Sequence, residues 1–473
     1  MVDVSANKPL LRALRHVLGD NGLFEAEAVQ AVHVEEPRGR YHAMPLAVAR
    51  PTELESVSAV VRLCAEAGVA IVPQGGHTGL VGGAIAGPGE VVLSLERMSR
   101  LRGLDPVDAS MLVEAGCTLA GVRAAAAAAG LFYPVSLASE GTATIGGTLA
   151  TNAGGNLTIR YGNTREQVLG LEVVLADGQV WSDLDPLRKD NSGYDLKQLF
   201  IGSEGTLGII TAATLKLAPA PRQSLTAMLA CADLPTAMAL LKHLRSGLGE
   251  CLSACEFLPR LAMEFVLLDQ PAQRDPFDSP HPWYALVQAD SSLPGDSLEA
   301  AAHSVLHQAL ESRLCGDVVV AGSETQAKAL WSLREGISAA QKHGGASIKH
   351  DISVPVASIP AFVADTVSAL ERSMTDIRPC IFGHLGDGNL HFNLSQPAPM
   401  NPERFRALET ECNRIVFDQV RRYRGSIAAE HGIGQLRCNE LARGQPDKVA
   451  LMRRVKQALD PDGLLNPGKV LRP

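Results

Sequence analysis

The stretch PQGGHTGLVGG, residues 73–83, sets five glycines and one histidine in eleven positions directly after the apolar run VAIVP. Such a run brings backbone close to whatever it holds, because glycine tolerates conformations and approaches that a side chain would block. Two common nucleotide motifs fail here. A dinucleotide fingerprint needs G-x-G-x-x-G at the start of a helix, and Gly75, Gly76, Gly79, Gly82 and Gly83 do not have that spacing. A P-loop needs Gly-Lys followed by Ser or Thr, and the stretch contains no lysine.

Two more glycine zones follow, GTATIGGTLATNAGGNLTIRYGN (141–163) and GSEGTLGII (202–210). Each lies beside an expected strand. Singly they read as tight turns. Together, with Thr and Asn interleaved, they suggest backbone N–H groups gathered around one large anionic cofactor.

The rest of the chain sets limits. A length of 473 residues predicts two or three domains. Hydrophobic residues at 46% and charged ones at 20% are globular composition. A net charge of −8 without long basic runs argues against nucleic acid or anionic membrane as a partner. No apolar stretch approaches the roughly 18–20 residues of a membrane span. The N-terminal twenty residues read as an amphipathic helix, not a signal peptide. Nine cysteines without a C-x-x-C pair fit a reduced, cytoplasmic protein.

Periodicity predicts a helix over 52–67 opened by a Thr52/Glu55 capping box, strands at 91–95 and 111–115, and a helix ending at Gly130. LEVVLADGQVW reads as a hairpin turning at Asp177-Gly178, and PAPR (219–222) as the first linker. Beyond it, strands at 224–230, 283–289 and 317–321 alternate with helices at 233–246, 296–312 and 323–342, and another helix starts at 358. That order predicts a ferredoxin-like antiparallel sheet with helices on one face. Residues 402–425 read as one long helix, and the tail from 426 as loop plus helix.

GHLGDGNLH (383–391) makes a local prediction. With Asp387-Gly388 as a two-residue turn, His384 and His391 become cross-strand partners with Cβ atoms roughly 4.5–5.5 Å apart. A divalent metal with bonds of about 2.0–2.1 Å bridges such a pair, the alternative being two histidines in a polar hairpin. Asn393 points to the same face and is placed to hydrogen-bond a ligand. Two imidazoles are too few, so a third ligand comes from elsewhere. Arg334 and Ser338 stand four apart on one helical face, and Lys349 begins the next strand.

PQGGHTGLVGG, ATNAGGNLTIRYG, GLEVVLADG and GSEGTLGIIT, in this order, resemble the FAD domain of the vanillyl-alcohol-oxidase/PCMH flavoprotein superfamily. LREGI, KHDISVP, GHLGDGNLH, EHGIG and DPDGLLNPGK extend the likeness to the D-2-hydroxyglutarate and D-lactate dehydrogenase branch, over nearly the whole chain. The resemblance implies an α+β fold: a PCMH-type FAD domain of two lobes (1–220), a substrate domain (221–425) and a C-terminal segment returning to the flavin (426–473). It implies that Pro73, Gly75, Gly76, His77, Thr78, Gly79, Leu80 and Gly82 cradle the FAD pyrophosphate. Ser139, Gly141, Thr142, Gly146, Gly147, Asn152, Gly154, Gly155, Tyr161 and Gly162 would line the flavin. Glu204, Gly205, Gly208, Ile209 and Ile210 would hold adenosine and ring, and Asn466 would reach the flavin edge.

The resemblance also implies that Glu430 is the third metal ligand, in a set that suits zinc but would admit manganese or cobalt, and that His431 is the general base. An ordinary imidazole pKa near 6.5 suits that role. Arg334, Ser338 and Lys349 would hold a carboxylate at the far end of the substrate. The implied activity is oxidation of a D-2-hydroxy acid, D-2-hydroxyglutarate first, with an electron-transfer flavoprotein or quinone as acceptor. The alternatives are a D-lactate dehydrogenase of the same build, a 2-hydroxyacid oxidase using O2, and a non-catalytic flavin subunit. The metal and base residues argue against the last of these. A homodimer is compatible with all. Relatives in this branch commonly carry asparagine where His77 stands, and elsewhere in the superfamily a histidine in a similar segment bonds the flavin. Its place in the pyrophosphate loop favours noncovalent FAD.

Overall fold

The helix expected over 52–67 runs Leu54–Glu66 in the computed structural model, which describes residues 7–25, 28–374 and 376–472. No capping box forms, because the chain enters through an extended Glu53 whose side chain makes no cap bond. Glu55 stays in the first turn, where its charge complements the helix dipole. Val57, Val60, Val61 and Cys64 bury into one core with Leu10, Leu11 and Leu14 of the helix Lys8–Leu18. Residues 1–6 of the expected N-terminal helix lie outside the described residues.

The chain divides into two units. Met1–Gly155, Gly162–Ala220 and Glu430–Pro473 make the first; Asn156–Tyr161 and Pro221–Ala429 make the second. The return to the first unit thus falls at Glu430 rather than at 426, and the six residues from Asn156 go with the second.

Among the described residues the first unit has two larger sheets and a two-stranded one, Leu131–Phe132 with Ala218–Pro219. In one of the larger sheets, Ile71–Gln74 and Ala47–Ala49 flank Val91–Ser94 in parallel, and Leu23–Phe24 adds an antiparallel edge. The C-terminal tail runs beside Ile71: its N–H donates to Leu464 O at 2.8 Å, and Asn466 N–H donates to Ile71 O at 2.7 Å. The other larger sheet is antiparallel, in the order Leu101–Asp105, Ser110–Glu114, Ile209–Lys216, Val168–Val174, Val180–Asp183. At its last turn Gly178 N–H bonds Leu175 O at 2.9 Å and Leu175 N–H bonds Gln179 O at 2.9 Å. A β-turn thus holds Asp177-Gly178 at the hairpin end as expected, and the Asp177 carboxylate accepts from Gln179 N–H.

The second unit is built on one antiparallel sheet. Its strands run Asp317–Val320, Gln223–Cys231, Trp283–Ser291, Leu252–Pro259, Arg378–His384, Asn389–Ser395, Ser347–Ile348, with Asp351–Ser353 also paired to Asn389–Ser395. Leu225 through Cys231 are buried without a break, so both faces of the sheet are covered rather than one. Met228, Leu258, Leu286 and Phe382 share a core with Ala262, Met263 and Val266 of the helix Arg260–Asp269 and with Leu330 and Leu333 of the helix Glu324–Glu335.

Two expected long helices are segmented. The 323–342 stretch stops at Glu335, turns at Gly336 and resumes over Ile337–Ala340. A Cβ at Gly336 would meet the backbone oxygen of Ser332 at 2.9 Å, as well as the mobile end of Gln270. The 402–425 stretch is Pro402–Ala407 followed by Glu409–Arg422. Among the described residues no helix is long and apolar enough to cross a membrane.

Candidate active site

A cleft of about 1040 Å³ opens in the first unit, walled by all three glycine zones. Pro73, Gly75, Gly76, His77, Thr78 and Gly79 line it from the first zone, and Gly146 and Gly147 from the second. Glu204, Gly205, Gly208, Ile209 and Ile210 line it from the third, and His431 joins them from the C-terminal segment.

The glycines have a second task. A Cβ on Gly76 would lie 1.9 Å from Thr142 O, and one on Gly75 would lie 2.3 Å from Thr144 Oγ1. The first zone therefore stacks directly on the second. Gly79, in contrast, has nothing within 4 Å of its Cβ position and opens to the cleft.

The other expected cofactor residues are not in the cleft wall. Leu80, Gly141, Gly154 and Gly162 are not among its lining residues, and Tyr161 lies in the second unit. Ser139 O accepts from Thr142 and Ala143 N–H groups and closes the turn before the wall. Asn152 ends the helix Ile145–Thr151 in a left-handed conformation. Gly155 abuts Ser136 O, and Gly82 O accepts from Gln435. Sequence reasoning missed Thr144, Thr148 and Thr151, with Ala143, Ala150 and Ala153, which supply much of the wall. Their small size was the available signal.

His77 has φ +53°, a left-handed conformation that asparagine and histidine enter more readily than most residues. Its Nδ1 bonds Val32 O. Burial pulls the imidazole below the usual histidine range. Asn466 Nδ2 donates to Gly83 O at 3.0 Å and Glu204 O at 2.7 Å, tying the first zone to the third. Glu204 accepts from Ile433 N–H (2.7 Å) and Gly434 N–H (2.8 Å), while burial raises its carboxyl above the usual range. His77 Nε2 and Asn466 Oδ1 are buried without a partner among the described residues. A wall of glycine backbone that carries the unpartnered His77 Nε2 fits a large polar cofactor such as FAD.

In the second unit the 383–391 hairpin differs in register from the expectation. His384 pairs with Asn389 and His391 with Phe382, so the loop has four residues, Leu385–Gly388. Asp387 Oδ1 accepts from Asn389 N–H at 3.0 Å, and Gly388 N–H reaches His384 O at 3.1 Å, which spreads the turn. The slip is two residues, an even number. Parity is kept, and both histidines still face the same side. They are diagonal neighbours with ring centroids 5.8 Å apart. The ligand atoms of His384, His391 and Glu430, the last peptide-bonded to the final residue of the second unit, lie within 4.8 Å of one another. Two imidazoles and a carboxylate suit a divalent transition metal.

Next to His384 stands a residue the sequence reading passed over. Glu256 is its cross-strand partner. Its Oε1 lies 2.7 Å from His384 Nδ1, and its Oε2 accepts from Arg334 Nε at 2.9 Å. Burial works to raise the Glu256 carboxyl, but the charges of His384 and Arg334 outweigh it and hold it below the usual range. The strand Leu252–Pro259 and the helix after it were absent from the sequence-based expectation. One carboxylate inside an apolar run was the signal.

Arg334 is buried, with its guanidinium carbon 4.9 Å from the Phe382 ring centre. Lys349 Nζ donates to Ser338 O at 3.1 Å, which brings those two together on the far side of the helix break. Asn393 keeps its expected face, with its amide donating to Gln341 Oε1 (2.8 Å) and its oxygen accepting from His350 N–H (3.3 Å).

Residues 45–183 match the "FAD binding domain" family, and residues 220–470 match "FAD linked oxidases, C-terminal domain". The chain is 41% identical over 432 residues, 91% of this chain and 90% of the relative, to D-2-hydroxyglutarate dehydrogenase of Xanthomonas citri pv. viticola. It is 38% identical to the Arabidopsis thaliana mitochondrial D-2-hydroxyglutarate dehydrogenase, covering 99% of this chain and 81% of that one. Its fold is similar to that of p-cresol methylhydroxylase, with a TM-score of 0.78 at 18% identity over 99% of this chain and 97% of that one. The chain belongs to the FAD-linked oxidase family of PCMH-type flavoproteins.

Proposed function

We propose that this chain oxidises a D-2-hydroxy acid, D-2-hydroxyglutarate first among them, to the 2-oxo acid. The observation that carries the reading is the gathering of His384, His391 and Glu430, with Glu430 followed directly by His431 in the wall of the FAD cleft. The names of the relatives point to the same substrate.

FAD, when bound, supplies the two-electron acceptor for the hydrogen on C2. A divalent cation, zinc in the first instance, supplies a Lewis acid that lowers the pKa of the substrate hydroxyl. His431 takes the hydroxyl proton as general base. Asn393 steadies the acid's C1 end. Lys349 and Ser338, with Arg334 behind them, meet the distal carboxylate, a feature that D-lactate lacks. Electrons then pass to an electron-transfer flavoprotein or quinone. Nine free cysteines, eight of them buried, support a reduced, cytoplasmic setting.

FAD is held noncovalently in this reading, because His77 sits among the glycines that would cradle the pyrophosphate, away from the flavin ring. Acid denaturation followed by filtration should release yellow flavin. Fluorescence retained on the protein and lost in His77→Asn would contradict this. For the substrate, initial rates on a panel of D-hydroxy acids with an artificial acceptor decide the matter. D-2-hydroxyglutarate should exceed D-lactate in kcat/KM, and the reverse order would make the chain a D-lactate dehydrogenase. Stoichiometric peroxide would make it an oxidase.

A further inference from the structure

We propose that Glu256 is a positioning residue that fixes the His384 imidazole for metal binding, with Arg334 as its counter-ion; this rests on the reading of His384, His391 and Glu430 as metal ligands. Register places the pair: Glu256 and His384 are directly opposed on adjacent antiparallel strands and share a face of the sheet. Both carboxylate oxygens are used. Oε1 meets His384 Nδ1 at 2.7 Å, and Oε2 meets Arg334 Nε and Nη2, each at 2.9 Å.

All three side chains are buried: Glu256 is 1% exposed, His384 6% and Arg334 8%. Packing does not call for ions there. Leu286 is the other cross-strand partner of Glu256, the Arg334 guanidinium lies over the Phe382 ring, and an apolar set of similar volume commonly replaces a buried ion pair without loss of stability. What the carboxylate adds is a tautomer. With Nδ1–H donated to Glu256, the lone pair of His384 sits on Nε2, the arrangement common to metal-binding histidines backed by a carboxylate. Arg334 holds the other carboxylate oxygen and so fixes the orientation of Glu256 against the imidazole. Arg334 is thereby coupled to the metal without ligating it, and its two nitrogens on Glu256 leave Lys349 the more direct contact for a distal carboxylate.

The test uses the full-length holoprotein and reads zinc affinity by competition with a chromophoric chelator, alongside the melting temperature of the metal-free form. Glu256→Gln should weaken zinc binding about 10–100-fold, the usual effect of removing such a partner. Arg334→Met should weaken it in the same direction. The paired variant Glu256→Leu/Arg334→Met removes both charges, so it should melt near the wild type yet bind zinc as weakly as the worse single variant. Because that double variant is expected to fold, failure of a single variant to fold leaves the question decidable. Wild-type zinc affinity in the folded double variant would overturn the inference while leaving the metal site intact. A wild-type protein that takes up no zinc or other divalent ion would overturn the metal reading and this inference with it.

Discussion

The cleft of the first unit and the hairpin site of the second are made from different material. The cleft is backbone: three glycine zones press together closely enough that a Cβ on Gly75 or Gly76 would overlap Thr144 or Thr142. The hairpin site is side chain: His384 and His391 project from one sheet face, and Glu256 and Arg334 stand behind the first of them. A site made of backbone fails through its fold, because any added atom must displace a neighbour. A site made of side chains fails through its chemistry, because a strand holds its course whichever residue projects from it.

The largest effect expected from that contrast is at His431. Replacing it with asparagine should lower kcat about 10²–10⁴-fold, the usual weight of a general base, with flavin content and melting temperature unchanged. Rapid-mixing measurement of flavin reduction by D-2-hydroxyglutarate reads this directly. Loss of flavin in that variant would mean that His431, which lines the cleft, serves the cofactor instead.

Lys349→Met comes next. Losing one charge-assisted hydrogen bond to a distal carboxylate costs about 1.5–3 kcal/mol, roughly 10–150-fold in kcat/KM for D-2-hydroxyglutarate relative to D-lactate. An equal loss on both substrates would mean that Lys349 does not read the distal carboxylate.

Gly76→Ala and Gly79→Ala separate the two tasks of the glycines. The first forces Cβ against Thr142 O, so the melting temperature should fall by the equivalent of about 1–3 kcal/mol, with flavin lost in proportion. The second meets no neighbour and should leave the metal- and cofactor-free protein as stable as wild type. Equal melting losses in both would contradict the stacking of the two zones.

The smallest effect concerns a second buried glutamate. Glu114 accepts from Arg100 and Arg102, and although burial raises its carboxyl these bonds hold it below the usual range. A depressed folded pKa stabilises above the unfolded value, near 4.3, and the benefit disappears as pH falls through the folded value. Glu114→Gln should therefore cost about 1 kcal/mol near neutral pH, with the gap to wild type closing in acid. A gap independent of pH would assign Glu114 a role in shape rather than charge. Unlike Glu256, it should leave zinc affinity untouched.

The contrast also explains what the sequence disclosed. The cleft was legible because backbone-built sites announce themselves as composition: glycine zones need no knowledge of partners. Parity made the His384/His391 face legible even though the turn is wider than Asp387-Gly388 suggested, since a slip of two residues preserves the face. Glu256 was not legible, because it lies 128 residues from His384 and joins it only through strand pairing. Distant partners decide such details, and a local pattern does not contain them.

The central claim is that oxidation depends on a metal held by His384, His391 and Glu430 while FAD is held elsewhere, by the glycine zones. Exhaustive dialysis of the holoprotein against a chelator, with D-2-hydroxyglutarate turnover and the flavin spectrum recorded on the same sample, tests it most directly. Turnover should vanish with the flavin spectrum retained, and about one equivalent of divalent ion should restore it. Full turnover in protein shown to be metal-free would contradict the account.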